Sequence, residues 1–345
     1  MVSKFAVPIG DNFCSDLFRI TVSYKSSAIN TTETISLIAK VKPETGEKCL
    51  AAECLQAEVG THGWLILQDL APLGYTTADR KAGLNMDHCL MVLNKVAKMH
   101  ASSAVLYEKE PNAMANYDRG MYTKRLGDWI ATHFCNSGIK SLALAVDKWE
   151  GFTQYSSKLT AIGEHIFEKV VKVAERRAGF NVLNHGDLWI SNLLFKYDSN
   201  GDPIDCKFVD FQFSVYTSPA IDLQYFIYTS VKQDFVPTQL SRLLDYYYAE
   251  LVKQLKKLNY PEEKIPTREW IRKDFFDRSL YGFVSAITVL PIAKAPPRKD
   301  ATFDEILNAD DGDASFRQAS YNEPDFRSMM EKLLPHFENL GLLNN

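Results

Sequence analysis

The 345-residue sequence lacks several features that would assign it to a membrane-bound or secreted class. No uninterrupted apolar run approaches the length that a helix needs to span a bilayer. Residues 1–12 contain no apolar stretch of the kind found in secretory signals. The six cysteines are scattered and include no C-x-x-C pair. We therefore expect reduced, mostly buried thiols in a cytoplasmic protein.

A surplus of positive charge is also absent, since the formal net charge is −4. The chain has no general attraction to nucleic acid or to acidic membranes, so we expect neither as a partner. A site for an anionic ligand would need its positive charge locally, from a lysine, a metal ion or backbone N–H groups. The hydrophobic fraction of 46% and the charged fraction of 24% are typical of a globular protein. We expect a monomer.

Strand patterns dominate residues 1–70, which we predict to form a small antiparallel β lobe. Leu17–Tyr24 and Thr34–Lys40 are rich in β-branched and apolar residues, and a polar stretch separates them. Trp64–Leu67 is a third short apolar run, and it ends close to the predicted boundary between the two domains.

Helical patterns dominate residues 71–345, which we predict to form a large, mainly helical C-terminal lobe. Apolar side chains recur at intervals of three and four in residues 84–104, as they do on one face of a helix. The pattern continues to about residue 180, with interruptions near Pro111 and Ser137. It returns in four further segments: residues 223–231, 238–258, 268–290 and 322–340.

One β-hairpin interrupts the helical region. Its predicted strands, Leu193–Tyr197 and Cys206–Val209, flank the turn formers of residues 199–203. Strands that come first, followed by helices around a single hairpin, indicate an α+β fold.

The segment around this hairpin carries the strongest chemical signal. His185–Asn192 reads H-x-D-x-x-x-x-N, and the hairpin leads from it to Asp210. Phosphoryl transfer to a hydroxyl needs a carboxylate to orient the acceptor and take its proton, and it needs oxygen ligands for Mg²⁺. We predict Asp187 as the base, and Asn192 and Asp210 as the metal ligands. Each residue alone would be ordinary in a loop, so the interpretation depends on their joint occurrence.

The segments HGDLWISNLLF and FVDFQFSVYTSPAIDLQYF resemble the insect ecdysteroid kinase-like proteins, also called CHK-type kinases. These are relatives of choline kinase and aminoglycoside phosphotransferases. Trp189, Asp210-Phe211-Gln212 and Asp222-Leu223-x-Tyr225 are the specific marks. The resemblance covers nearly the whole chain. It implies a two-lobed protein-kinase-like fold that uses ATP and Mg²⁺ to phosphorylate a hydroxyl of a small molecule such as an ecdysteroid.

The same resemblance implies roles for residues outside the motif. Asp222 would brace the catalytic loop, His185 would be a buried brace within it, and His100 would pack in the long helix. The hinge Asp69, Leu70 and Ala71 would hold adenine through backbone groups.

Two further residues would contact the phosphates of ATP. Ser15 ends the segment Gly10–Ser15, which precedes the first predicted strand and resembles the family's phosphate-covering loop. Lys40 at the end of an apolar strand is the predicted lysine for the α- and β-phosphates, with Lys42 as the alternative.

The first lobe departs from the family pattern, because the chain begins almost at the phosphate loop and only 24 residues separate Lys40 from Leu65. That interval cannot comfortably hold both helix C, whose glutamate pairs with the lysine, and another strand. Lys48–Glu58 could be a short helix that offers Glu53 or Glu58. We prefer a strand at Cys49–Glu53, in which case helix C is absent.

Three functions compete. The first is a small-molecule kinase acting on an ecdysteroid or similar lipophilic alcohol, with residues 115–180 and the C-terminal third lining the acceptor site. The second is a kinase for choline or an aminoglycoside. The third is a pseudokinase, which the shortened first lobe favours and which Asp187, Asn192 and Asp210 oppose.

Overall fold

The structure is a computed structural model that describes residues 2–5, 18–25, 32–38, 50–58, 64–118, 120–123, 131–232, 234–296 and 315–343. Packing contacts divide the chain into two compact units. The smaller unit contains the described residues up to Ala78 together with Ser191–Asp210 and Pro296, and the larger unit contains the remainder. The predicted domain boundary at residue 70 stays a prediction, and these units differ from it by grouping the hairpin with the N-terminal strands.

Five antiparallel strands form one sheet of the smaller unit, in the spatial order β1-β2-β3-β5-β4. The register of β2 against β3 sets β-branched and apolar residues opposite one another, Ile20 with Leu37 and Val22 with Ile35. The strands expected near residues 17–24, 34–40 and 64–67 are confirmed over the described residues. The bounds are β1 Val2–Phe5, β2 Phe18–Lys25, β3 Thr32–Ile38, β4 Cys54–Glu58 and β5 Trp64–Gln68.

The strand predicted at Cys49–Glu53 is wrong in position, because the structure has β4 at Cys54–Glu58. Leu50 and Ala51 form backbone hydrogen bonds and bridges with the hairpin and not with β5. The carbonyl of Leu50 accepts a hydrogen bond from the Phe208 N–H at 2.8 Å, and Ala51 forms a parallel bridge to Phe208. Residues 50–58 contain no helix, so the alternative helix at Lys48–Glu58 is also wrong there.

A second sheet of the smaller unit contains the predicted hairpin. Its strands are β8 Leu193–Tyr197 and β9 Pro203–Phe208, and they pair with the short strand β6 Tyr75–Thr77 in the order β6-β8-β9. Since β6 has only three residues, its sequence carries no periodicity that would have predicted it. The two sheets share apolar contacts: Ala52, Leu67 and Leu70 pack with Cys54, Tyr75, Leu194 and Val209.

Helices make up most of the larger unit, which confirms the α+β class. The long helix α1 packs along α6, and the fully buried α5 packs against α8. Asn85 caps α1 by accepting a hydrogen bond from the His88 N–H at 3.1 Å. The bounds are α1 Met86–Lys109, α2 Ser137–Val146, α3 Gln154–Gly163, α4 Ile166–Ala174, α5 Ala220–Ser230, α6 Phe235–Lys257, α7 Arg268–Asp277, α8 Ser279–Thr288, α9 Leu290–Lys294, α10 Phe316–Tyr321 and α11 Pro324–Asn339.

One predicted helix is broken into shorter ones, and another is confirmed. Residues 268–290 form α7, α8 and the first residue of α9, whereas residues 322–340 contain a single helix, α11. Pro291 and Pro324 each stand in the first turn of a helix, where a missing N–H is tolerated, so each one marks a new start. The interruptions predicted near Pro111 and Ser137 are confirmed: Pro111–Met114 is a 3₁₀ turn, and a π-helical turn at Ala131–Asn136 precedes α2.

A two-stranded antiparallel sheet in the larger unit was not predicted. It pairs β7 Val182–Asn184 with β10 Val215–Thr217. The described cysteines, Cys54, Cys89, Cys135 and Cys206, are free thiols. No helix within the described ranges is both long and apolar enough to cross a membrane.

Candidate active site

The predicted catalytic loop begins where β7 ends, and Asn184 fixes its starting point. The Nδ2 group of this buried residue donates hydrogen bonds to the carbonyls of Val215 and Thr217 on β10, each at 3.3 Å. Its Oδ1 atom accepts a hydrogen bond from the N–H of Asp222 at 3.1 Å. One side chain therefore ties both short strands to the start of α5.

Asp222 braces the backbone of the loop, as the resemblance implied. Its Oδ2 atom accepts a hydrogen bond from the His185 N–H at 2.7 Å, and its Oδ1 atom accepts one from the Gly186 N–H at 2.9 Å. The Asp222 side chain is fully buried, so these charge-assisted bonds act where water does not compete. The position of the loop backbone is thus set by α5.

His100 has more than the packing role that was expected of it. Its Nε2 atom lies 3.1 Å from Oδ2 of Asp222, and its Nδ1 atom lies 2.8 Å from the hydroxyl of Tyr247 on α6. Burial, followed by the charge of Asp222, raises the pKa of Tyr247 well above its usual range, so its hydroxyl stays protonated. The two imidazole nitrogens thus contact a hydroxyl on one side and a carboxylate on the other. Helix α1 is thereby linked to the catalytic loop through one imidazole.

Gly186 is required by the path of the loop. Its φ angle is +81°, and an added Cβ would lie 1.9 Å from the carbonyl oxygen of Phe213. Neither the backbone angle nor the space would accept a side chain. His185 is a buried brace, as predicted. Its ring centroid lies 4.4 Å from that of Phe211, and its carbonyl accepts a hydrogen bond from the Ser214 hydroxyl at 3.3 Å.

Asp187, the predicted base, is held by a residue that the sequence did not identify as part of the site. The hydroxyl of Tyr225 donates a hydrogen bond to Oδ1 of Asp187 at 2.6 Å. Asp187 is 7% exposed and Tyr225 is 1% exposed, so water is almost excluded from this hydrogen bond. Tyr225 follows Asp222 by three residues on α5, which puts both side chains on the same face of the helix. That i, i+3 spacing is the signal that could have pointed to it.

Three buried tyrosines surround this carboxylate. The ring centroids of Tyr122 and Tyr281 are 5.1 Å apart, and those of Tyr225 and Tyr281 are 6.4 Å apart. Burial is the main cause that raises the pKa of all three hydroxyls well above the ordinary value, and the charge of Asp187 adds to it. The hydroxyl groups stay protonated at physiological pH, so none of these three tyrosines places a second negative charge near Asp187.

The two predicted metal ligands come together in the smaller unit. The N–H of Val209 donates a hydrogen bond to the carbonyl of Asn192 at 3.0 Å, which brings Asn192 beside the residue that precedes Asp210. Asn192 is 8% exposed. Asp210 has a φ angle of +65°, an unusual backbone conformation for a residue other than glycine. The backbone thus brings the segments that carry Asn192 and Asp210 next to each other.

This donor pair fits Mg²⁺, which prefers oxygen ligands and is often held by one or two carboxylates plus substrate phosphates. Among the described residues, no three histidine, cysteine, aspartate or glutamate side chains converge as they would in an all-protein metal site. The assignment of Asn192 and Asp210 as ligands of Mg²⁺ stays a prediction.

The predicted hinge is a tight turn in the smaller unit. Oδ1 of the buried Asp69 accepts a hydrogen bond from the Ala71 N–H at 2.9 Å, and Ala71 begins a 3₁₀ turn. The carbonyl of Leu70 accepts hydrogen bonds from the N–H groups of Leu73 and Tyr75. The Ala71 N–H donates its hydrogen bond within the turn. Adenine binding by Asp69, Leu70 and Ala71 stays a prediction. The predicted phosphate contacts Ser15, Lys40 and Lys42 lie outside the described residues.

A cleft of about 270 Å³ lies next to the catalytic loop within the larger unit. Two of its lining residues, Phe211 and Ser214, are the same residues that contact His185. The lining combines aromatic and polar side chains: Ala115, Asn116, Tyr117, Asp118, Phe211, Gln212 and Ser214. The first four of these belong to the region that was predicted to line the acceptor site.

The model of the ecdysteroid kinase-like family matches residues 45–260, which contain the braced loop, the hairpin and helix α5. The chain belongs to the ecdysteroid kinase-like family. This membership confirms the resemblance found in the sequence and relates the chain to small-molecule kinases. The search of curated proteins found no significant match.

Solved structures similar to this ecdysteroid kinase-like chain share little of its sequence. An ethanolamine kinase from Plasmodium vivax is 16% identical, with a TM-score of 0.44, and the match covers 95% of this chain and 83% of that one. A choline/ethanolamine kinase family protein from Mesorhizobium loti is 11% identical, with a TM-score of 0.38 and coverages of 85% and 78%. The chemistry proposed below therefore rests on the family and on the residues of the site.

Proposed function

We propose that the chain transfers the γ-phosphate of ATP to a hydroxyl group of a small molecule, and that the acceptor is an ecdysteroid or a similar lipophilic alcohol. The observation that carries this proposal is the nearly buried Asp187 carboxylate, hydrogen-bonded to Tyr225, in a loop whose backbone is fixed by Asp222. A cytoplasmic, monomeric enzyme without nucleic-acid or membrane partners is part of the same proposal, and the net charge of −4 supports the absence of those partners.

Asp187 would accept the proton of the acceptor hydroxyl. The acceptor oxygen then forms a bond to the γ-phosphorus, the bond from that phosphorus to the bridging oxygen of ADP breaks, and ADP leaves with the electron pair. Since little covalent chemistry is left to the protein, its contribution is to orient the hydroxyl and to hold charge in place. The buried hydrogen bonds around the loop support that role.

Asn192 and Asp210 would hold Mg²⁺ against the phosphates of the nucleotide. The ion would neutralise charge on the phosphate oxygens when it is bound. The backbone hydrogen bond between Val209 and Asn192 supports this assignment, because it keeps the two ligand-bearing segments adjacent.

The cleft beside His185 supports a hydroxylated acceptor of mixed polarity. Tyr117 and Phe211 offer aromatic faces, while Asn116 and Gln212 offer amide groups that can donate and accept hydrogen bonds. Clefts of this kind suit ligands that combine an apolar body with a few polar groups.

The decisive experiment measures phosphorylated product by mass spectrometry after incubation with ATP and Mg²⁺. The acceptors are a panel of ecdysteroids, choline, ethanolamine and aminoglycosides. Wild type should phosphorylate at least one ecdysteroid, and Asp187→Asn should reduce turnover by roughly 10²-fold or more. Equal turnover in both proteins would overturn the assignment of Asp187. Product only from choline or ethanolamine would replace the acceptor class.

The metal assignment is tested by nucleotide binding. Asp210→Ala should abolish Mg²⁺-dependent binding of ATP measured by calorimetry, whereas Asp202→Ala should leave it unchanged. Asp202 is an exposed carboxylate in the turn of the same hairpin, which makes it a matched control. Mg²⁺-dependent binding by wild type without turnover on any acceptor would favour a pseudokinase.

A further inference from the structure

Helix α5 contacts the loop through Asp222 and through Tyr225, and the second contact is with the proposed base, Asp187. We propose that Tyr225 is a positioning residue that fixes the orientation of the Asp187 carboxylate for proton transfer. The inference deepens the proposed function and rests on it, because it assumes that Asp187 receives the proton of the acceptor.

The hydrogen bond from Tyr225 restrains the direction of the Asp187 carboxylate. A carboxylate can rotate about its Cβ–Cγ bond, so a fixed backbone alone does not fix the direction of its oxygen atoms. The Tyr225 hydroxyl lies 2.6 Å from Oδ1 of Asp187, with both residues more than nine-tenths buried. A short hydrogen bond to an ionised acceptor is strong when water is excluded, and it restrains the plane of the carboxylate.

The surrounding packing holds the Tyr225 side chain in place. The Tyr225 ring lies in a helix with no exposed residue, near Tyr281, and its hydroxyl lies 3.8 Å from the sulfur of Met121. Its carbonyl also accepts a hydrogen bond from the Thr229 hydroxyl at 2.7 Å. The hydroxyl therefore has little freedom to follow a carboxylate that turns away from it.

The Tyr225 hydroxyl also remains a hydrogen-bond donor. Burial, with the charge of Asp187 as the next cause, raises the pKa of Tyr225 well above its ordinary value. Because the phenol keeps its proton over the working range of pH, the direction of the hydrogen bond does not reverse. Tyr225 thus orients the Asp187 carboxylate and takes no proton from it.

The test compares two Tyr→Phe variants on one helix. Tyr225→Phe keeps the ring and removes only the hydroxyl that contacts Asp187. Tyr228→Phe removes a hydroxyl of equal burial, which lies 2.8 Å from Nε2 of His336 and has no place in the proposed site. We expect Tyr225→Phe to lower kcat roughly tenfold to a hundredfold while the KM for ATP and the affinity for nucleotide stay within about twofold of wild type. Tyr228→Phe should keep the wild-type kcat.

Unchanged kcat in Tyr225→Phe, with an active wild type, would overturn the positioning role alone. A wild type that is inactive on every acceptor would overturn the proposed function instead. The positioning role is then decided by crystal structures of wild type and Tyr225→Phe. An Asp187 side chain that turns or loses order in the variant supports the inference, and an unchanged, well-ordered rotamer contradicts it.

Discussion

The surroundings of Asp222 and of Asp187 differ, although both carboxylates are buried in the same unit. Asp222 accepts hydrogen bonds from two backbone N–H groups and contacts the Nε2 atom of His100, all of which are fixed by the fold. Asp187 accepts a hydrogen bond from the side-chain hydroxyl of Tyr225. The first arrangement holds a backbone in place, while the second contacts a side chain that we propose to be the catalytic base.

The largest expected effect is that of Asp222→Asn. An asparagine offers one acceptor oxygen, so its NH₂ group would face a backbone N–H and one buried donor would lose its partner. We expect the free energy of unfolding to fall by about 3–5 kcal/mol, measured by urea denaturation. A loss below about 1 kcal/mol would contradict the view that the charge of Asp222 holds the loop.

Gly186→Ala should have the next largest effect, because the added methyl group disturbs the braced backbone itself. The positive φ angle and the approach of the Phe213 carbonyl leave no space for a Cβ. We expect a loss of roughly 2–4 kcal/mol in the free energy of unfolding. Gly201→Ala is the control, since Gly201 also has a positive φ angle but nothing lies within 4 Å of its added Cβ. Equal losses would show that the close approach is unimportant.

Lys294 extends the comparison to a buried positive charge whose Nζ donates to the carbonyls of Arg80 and Lys81. Burial lowers its pKa from 10.5 to about 8, although Asp325 and Asp79 oppose the shift. Between these pH values the unfolded chain holds a proton that the folded chain has lost, so this group makes stability rise with pH. The stability of wild type relative to Lys294→Met should therefore increase by roughly 2–3 kcal/mol from pH 8 to pH 10.5.

That difference is measured by urea unfolding of both proteins at matched pH values, so that shared titrations cancel. A flat difference across the window would show that Lys294 titrates normally and that its two carbonyl partners compensate for its burial.

The smallest expected effect on stability is that of Asp187→Asn, the same chemical change as in the first prediction. The amide oxygen can still accept the Tyr225 hydroxyl, so the free energy of unfolding should change by about 1 kcal/mol or less. The contrast between the two asparagine variants, measured side by side by urea denaturation, separates structural from chemical carboxylates. Comparable losses at both positions would remove the distinction.

The sequence was sufficient to predict what is local along the chain. The hairpin Leu193–Phe208 and the long helix α1 were predicted because turn formers and helical periodicity mark them directly. The strand β4 was misplaced because Leu50 and Ala51 pair with a hairpin more than 150 residues later, and no local pattern reports such a partner.

The candidate site likewise contains residues that the sequence predicts and contacts that it does not. Asp187, Asn192 and Asp210 were predicted from one motif, and these assignments stay predictions. The residues that hold the loop in place were harder to predict. The contacts of Asn184 depend on two three-residue strands, and the contact of His100 with Asp222 depends on a distant helix. Tyr225 was visible as part of the family mark Asp222-Leu223-x-Tyr225, but its contact with Asp187 was not predicted, since that contact depends on the direction of a single hydroxyl.

All eleven residues of α5 are buried. Its amide hydrogens should therefore exchange with solvent only when the surrounding unit opens as a whole, because there is no exposed turn from which the helix can fray. The geometry that α5 imposes on the catalytic loop would then last as long as the native state itself. Local breathing of the surface would leave the loop backbone at His185 and Gly186 undisturbed.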